Sequence, residues 1–186
     1  MTGPLSLLER WLSYLSTNSA PVIEGAHLHA HEGEAYEGGY VFSGVADAGQ
    51  VRMVMIPNDT DEPAHLFLSA VAGGRGILHF FEAPTIIASG TFVGGENLNR
   101  QLASAQPADW LTYRDPSIGN VGTELHVGLI PGGIGANPVG SRAAGTVRAG
   151  LEWVLNTGTA YLVTIQNQAG ATIPVQVILE WYEEGL

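Results

Sequence analysis

Three histidines at alternate positions, followed closely by three carboxylates, are the residues of this chain best suited to chemistry. They are His27, His29, His31, Glu32, Glu34 and Glu37. On a β-strand, side chains at alternate positions share a face, so the three imidazoles would lie side by side. Two imidazoles and a carboxylate form a ligand set for Zn²⁺, Mn²⁺ or Fe²⁺. The segment therefore raises a metal-site hypothesis with His27, His29 and Glu34 as ligands.

The order His-x-His followed by Glu34 is similar to the first metal-binding motif of the cupins. The glycines that flank this motif in that family are missing here, because Pro21 and Val41 stand in their places. The second cupin motif should add a histidine after a Pro-x-Gly turn, yet no histidine follows residues 131–133. We therefore interpret the row as surface or interface histidines, and we predict no bound metal and no other cofactor.

The remaining polar residues form no catalytic pattern in the sequence. No serine has the Gly-x-Ser-x-Gly context of a nucleophile elbow. The glycine-rich stretch at 131–135 lacks the Lys-Ser/Thr ending of a phosphate-binding loop. The histidines at 65, 79 and 126 lie in separate runs, which favours core or interface positions. We predict that the protein is not an enzyme.

Composition excludes several classes of partner and of stabilising bond. The 186 residues carry a net charge of −11, and all seven basic residues are arginines. Such a chain lacks the basic surface that binds nucleic acid or anionic membranes. Cysteine is absent, which excludes disulfides and thiolate metal sites. No apolar run is long enough for a transmembrane helix and no basic leader precedes the first apolar run, so we expect neither a membrane span nor a signal peptide.

The first twenty residues predict a helical arm. Pro4 suits the first position of a helix, and the polar stretch at 16–19 ends the pattern. Apolar residues recur at helical spacing between positions 4 and 15, and an amphipathic helix this short must dock to be stable. It could dock on its own domain or on a neighbouring chain. In the second case the candidate partner contacts are Leu8, Trp11, Leu12 and Leu15.

Residues 21–186 predict one antiparallel β-sandwich. Short apolar runs recur at roughly ten-residue spacing, with Gly, Pro and Asn between them. The part from about 94 to 148 is rich in Gly and Pro and predicts a long irregular insertion with a strand at 125–130. Three runs after residue 152, separated by two short turns, predict an antiparallel meander.

Several segments together resemble the head decoration, or cement, proteins of tailed bacteriophages. The segments are HEGEAY at 31–36, VRMVMI at 51–56, HLFL at 65–68, ILHFFE at 77–82, ENLNR at 96–100, IPGGIG at 130–135, LEWVLNTGTAYLVTIQN at 151–167 and ILEWYEE at 178–184. This resemblance covers roughly residues 25–184 and leaves out the N-terminal arm.

The resemblance implies an all-β, antiparallel, jelly-roll-like β-sandwich, here with a short N-terminal helix. It implies a homotrimer made in the host cytoplasm that binds the capsid exterior of the virion and stabilises contacts between major capsid proteins. It brings no catalytic residues. Two other functions stay open: a cupin-like metal-dependent enzyme and a carbohydrate-binding β-sandwich.

Overall fold

Thirteen antiparallel strands make up the fold. The structure is a computed structural model, and it describes residues 29–30, 32–58, 62–101, 107–131 and 145–183. The strands in this part of the chain are β1 Ala35–Val45, β2 Gln50–Pro57, β3 Ala64–Ala72, β4 Gly76–Glu82, β5 Thr85–Ala88, β6 Thr91–Gly94, β7 Glu96–Asn97, β8 Trp110–Arg114, β9 Ser117–Asn120, β10 Thr123–Ile130, β11 Gly145–Leu155, β12 Tyr161–Asn167 and β13 Ile173–Glu183.

The strands form two large sheets and one small one. Sheet A has the order β11-β3-β13-β1-β7, and sheet B has the order β10-β4-β12-β2-β8-β6. Strands β5 and β9 form a separate two-stranded sheet. Among the described residues, β10 is an edge strand of sheet B and β11 is an edge strand of sheet A, and these two edges lie near each other.

One apolar core lies between sheets A and B. Along β3 every second residue is buried, so Leu66 and Leu68 face inwards while His65 and Phe67 face outwards. Sheet B contributes Met53 and Phe80 to the same cluster. Each such side chain contributes about 1.5–3 kcal/mol when it is fully buried. The prediction of an all-β, antiparallel β-sandwich is confirmed.

Two tryptophans, one from each large sheet, are buried in this core. Trp181 on β13 is buried and packs near Tyr36 of β1. Trp110 at the start of β8 is buried too, and its indole N–H donates to the Glu62 carbonyl at 3.1 Å. Trp181 and Trp110 are therefore both core residues.

The region 94–148 is more regular than the sequence suggests. Its described residues include β7, β8, β9 and β10, together with the beginning of β11. The expected strand at 125–130 is confirmed as part of β10. Strand β9 reads Ser-Ile-Gly-Asn, a poor intrinsic strand sequence, and it is extended because it pairs with β5. Pairing outweighs local propensity here, as it commonly does in sheets.

The last three strands do not form a meander. Strand β12 belongs to sheet B, where it pairs with β2 and β4, while β11 and β13 belong to sheet A. The two short connections therefore cross from one sheet to the other. The meander prediction is wrong because turn length alone does not reveal which neighbours a strand pairs with.

The predicted arm at residues 1–20 lies outside the described residues. Within the described part, no helix is long and apolar enough to span a membrane.

Candidate functional site

The histidine segment ends in a helical turn and not in a strand. Residues 29, 30 and 32 are helical, and the His29 carbonyl accepts hydrogen bonds from the Gly33 N–H at 3.0 Å and the Glu34 N–H at 2.9 Å. Gly33 has φ of +84°, which ends the turn, and β1 begins only at Ala35. The prediction that His27, His29 and His31 alternate along one strand is therefore wrong at His29. The other two histidines lie outside the described residues.

Three ligand-type side chains meet on this turn. The Nδ1 atom of His29 lies 2.9 Å from a Glu34 oxygen and 3.9 Å from a Glu32 oxygen. One ligand atom from each of the three residues falls within 4.8 Å of the others. The structure thus brings together His29 and Glu34 of the sequence-based ligand set, adds Glu32, and leaves His27 outside the described residues.

The backbone of this turn is tied to sheet A on two sides. The Glu183 N–H of β13 donates to the Glu34 carbonyl at 3.0 Å. The side-chain amide of Asn97, on β7, donates to the Gly33 carbonyl at 2.5 Å. These contacts hold the backbone of Gly33 and Glu34 beside the first residues of β1.

A stack of aromatic rings fixes the imidazole of His29. Its ring lies parallel to that of Tyr182, with the centroids 4.2 Å apart and an interplanar angle of 6°. The His65 ring also stacks on Tyr182, at 4.5 Å and 13°. His65 and Tyr182 are direct cross-strand partners of β3 and β13, and both face away from the core. The stack therefore lies on the outer face of sheet A.

A carboxylate from β11 completes this cluster. Glu152 lies 2.5 Å from Nδ1 of His65 and accepts a hydrogen bond from the Tyr182 hydroxyl. The pKa of Glu152 is lowered, first by the Tyr182 hydrogen bond and further by the hydrogen bond and charge of His65, against the opposing effect of burial. We call His29, Glu34, His65, Glu152 and Tyr182 the outer-face cluster.

A buried carboxylate lies one residue further along β13. Glu183 is 4% exposed and accepts hydrogen bonds from the backbone N–H groups of Asp109 and Trp110 and from the Trp181 indole. Burial raises its pKa, although these three donors act in the opposite direction. Its contacts join the end of β13 to the start of β8, which is a structural role.

Sheet B carries a further histidine–carboxylate pair. Nδ1 of His79 lies 2.5 Å from Glu124, and the His79 ring stacks on Phe81. This pair differs from the outer-face cluster, because only one carboxylate faces the histidine in the described contacts. His126 instead lies beside Trp153, with ring centroids 6.1 Å apart.

An exposed apolar strip runs along the edge of sheet B. Val127 and Leu129 on β10 are 55% and 56% exposed, and they pair with His79 and Ile77 of β4. Leu125 on the same strand is also exposed, as is Val154 on the neighbouring edge strand β11. We call Leu125, Val127 and Leu129 the β10 strip. An open strand edge with apolar side chains is a preferred place for contact with another chain.

A shallow groove of about 390 Å³ lies at the far end of β1 from the outer-face cluster. Tyr40, Phe42 and Arg114 belong to its lining. The Arg114 guanidinium lies 4.3 Å above the Tyr40 ring, so it covers the ring face on which a sugar would stack.

Sequence reasoning missed Tyr182 and Glu152 as members of a site. His65 and Glu152 are 87 positions apart in the chain, so only the pairing of β3 with β11 brings them together. The predicted partner contacts Leu8, Trp11, Leu12 and Leu15 lie outside the described residues.

Comparisons with known proteins give no relative for this arrangement. No family model matches the chain, and the searches of curated proteins and of solved structures found no match either.

Proposed function

We propose that this protein is a non-enzymatic assembly module that forms a homotrimer and binds the exterior of a tailed-phage capsid. On this proposal it stabilises contacts between major capsid proteins. The observation that carries the proposal is the β10 strip, in which apolar side chains are exposed on a strand that lies at the edge of sheet B in the described part of the chain. We infer the capsid as the partner because several segments of the sequence resemble those of head decoration proteins.

The order of the strands supports a jelly roll as the type of sandwich. Strand β1 pairs with β13, β2 with β12, β3 with β11 and β4 with β10, and all four pairs are antiparallel. This nesting is what results when one long hairpin of eight strands is wrapped into two sheets. Jelly rolls of eight strands recur in viral capsid proteins and lectins.

The character of the surface supports an assembly role. Only 13% of the residues are charged, about half of the usual share, and lysine is absent. The centre of a protein–protein interface is likewise poor in charge, and lysine in particular is depleted there. In a trimer, three capsid footprints act together, so contacts that are weak singly give tight attachment.

The test of this function is binding to heads that lack the protein. Untagged protein is mixed with such heads and sedimented, and saturable binding in multiples of three per site is expected. A Trp11→Ala variant of the full chain should bind more weakly if the predicted arm contacts the capsid. Absence of sedimentation at saturating protein would refute the capsid proposal, whatever the oligomeric state of the free protein.

A second function, that of a cupin-like metal-dependent enzyme, is favoured by one observation. His29 and Glu34, two of the three residues in the sequence-based ligand set, lie within hydrogen-bonding distance. A metal-dependent activity that disappears on chelation would favour this function. A carbohydrate-binding sandwich is the third possibility, and glycan binding that requires Tyr40 would support it.

A further inference from the structure

The turn at residues 29–34 has the geometry of a metal site. We propose that His29, Glu32 and Glu34 bind a transition-metal dication, for which Zn²⁺ is the test ion, and that water fills the remaining coordination. The ion would fasten this turn and would take no part in a reaction. This site goes beyond the proposed function and does not depend on it.

The distances between the ligand atoms suit a small dication. Zn²⁺ binds imidazole nitrogen and carboxylate oxygen at about 2.0–2.2 Å in a tetrahedral arrangement, which places ligand atoms roughly 3.3 Å apart. His29 Nδ1 lies 2.9 Å and 3.9 Å from the two glutamate oxygens, on either side of that spacing, and all three ligand atoms fall within 4.8 Å of one another. One imidazole with two carboxylates is a donor set for Zn²⁺ or Mn²⁺, whereas Ca²⁺ and Mg²⁺ prefer oxygen donors alone.

The imidazole is oriented before any ion arrives. Its side chain is 15% exposed and its ring is held parallel to Tyr182. The aromatic stack thereby directs Nδ1 towards the two glutamates, which are 50% and 45% exposed and open to solvent. A fixed ring orientation is what outer contacts provide at metal-binding histidines.

The backbone and the charge of the region also suit a cation. Hydrogen bonds from Asn97 and from the β13 backbone hold Gly33 and Glu34 in place, so little ordering is needed on binding. Two carboxylates at the site and Glu152 nearby give a negative field in a chain whose net charge is −11. When the ion binds Nδ1, the proton that joins His29 to Glu34 moves to Nε2 or to solvent.

The experiment is titration of the untagged full chain with ZnCl₂, followed by calorimetry and by thermal unfolding. One Zn²⁺ per chain is expected, with a melting temperature that rises with zinc concentration. Co²⁺ substitution should give visible absorption typical of nitrogen and oxygen ligands. Mg²⁺ at the same concentration should produce no shift.

Two variants locate the site and one serves as the control. His29→Ala and Glu32→Gln should each weaken Zn²⁺ binding by at least about tenfold. Because the Glu32 side chain is 50% exposed, Glu32→Gln should leave the fold intact, so it still tests the site if His29→Ala destabilises the protein. His79→Ala removes a histidine that also faces a carboxylate at 2.5 Å, and it should leave binding unchanged. Failure of the wild-type chain to bind Zn²⁺ overturns the proposal, as does equal binding by wild type and Glu32→Gln.

Discussion

Replacement of the two outermost residues of the β10 strip tests how the protein assembles. Val127→Glu combined with Leu129→Glu places two charges on edge strand β10. In the wild-type chain Val127 is 55% exposed and Leu129 is 56% exposed. Because these side chains already face solvent, the free energy of unfolding of the monomer should change by no more than about 0.5 kcal/mol per site. The association equilibrium should change far more.

The size of that change follows from the exposed fraction. Complete burial of a Val or Leu side chain contributes about 1.5–3 kcal/mol, so covering the exposed half contributes about 0.8–1.5 kcal/mol for each residue. The pair therefore contributes about 1.5–3 kcal/mol at each subunit contact. Since about 1.4 kcal/mol corresponds to a factor of ten, the double variant should weaken each contact roughly 10- to 150-fold, before the cost of burying a carboxylate.

Light scattering coupled to size-exclusion chromatography, over a range of concentrations, measures this effect. The wild-type chain should elute as a trimer and the double variant as a monomer, with the same circular dichroism spectrum. Ile87→Glu is the matched control, because Ile87 is 70% exposed but lies on β5, in the separate two-stranded sheet. A wild-type monomer at every concentration would refute the reasoning. So would a double variant that remains trimeric.

Two other perturbations test how the fold is held. Gly122→Ala should destabilise the protein by about 2 kcal/mol or more, because Gly122 has φ of +87° and an added Cβ would lie 2.1 Å from the Glu82 carbonyl oxygen. The control Gly158→Ala, at φ +72° with no atom near the added Cβ, should cost only about 1–2 kcal/mol of backbone strain. Equal losses of unfolding free energy for the two variants in urea would contradict this account. The raised pKa of Glu183 means that the folded state holds this proton more tightly than the unfolded chain, so the free energy of unfolding should fall as pH rises from 4.5 through that pKa. Glu183→Gln should remove that part of the pH dependence and, at neutral pH, should cost about 1–3 kcal/mol because the new amide faces the Asp109 N–H at 3.0 Å; parallel pH profiles for the two proteins would count against this role.

The strands with strong local patterns were predictable from the sequence, and those defined by their partners were not. In β2, Val51, Met53 and Met55 are buried in the core as the period-two pattern predicts, and Val54 between them is buried as well. Strand β9 has no such pattern, because a single isoleucine among Ser, Gly and Asn leaves no periodicity to detect. Its extended form depends on β5, which the sequence does not identify as its partner.

The candidate site shows the same division at the level of single residues. The closeness of His29 and Glu34 was foreseeable, since the two are five positions apart. Alternation suggested a strand, but Gly33, with a positive φ, lies where a helical turn can end, and the structure has such a turn there. Tyr182 could not be placed beside them from the sequence, because that contact requires the antiparallel register of β1 and β13.

The β10 strip and the outer-face cluster beside the proposed metal site lie on opposite sides of the sandwich. The outer-face cluster, where His29 packs on Tyr182, lies on the outside of sheet A, while Val127 and Leu129 point away from the core on sheet B. Trimer formation and Zn²⁺ binding should consequently be separable. The Val127→Glu and Leu129→Glu double variant should lose trimer formation and keep Zn²⁺ binding, whereas His29→Ala should do the reverse; loss of both properties in either variant would mean that the two sides are coupled through the core.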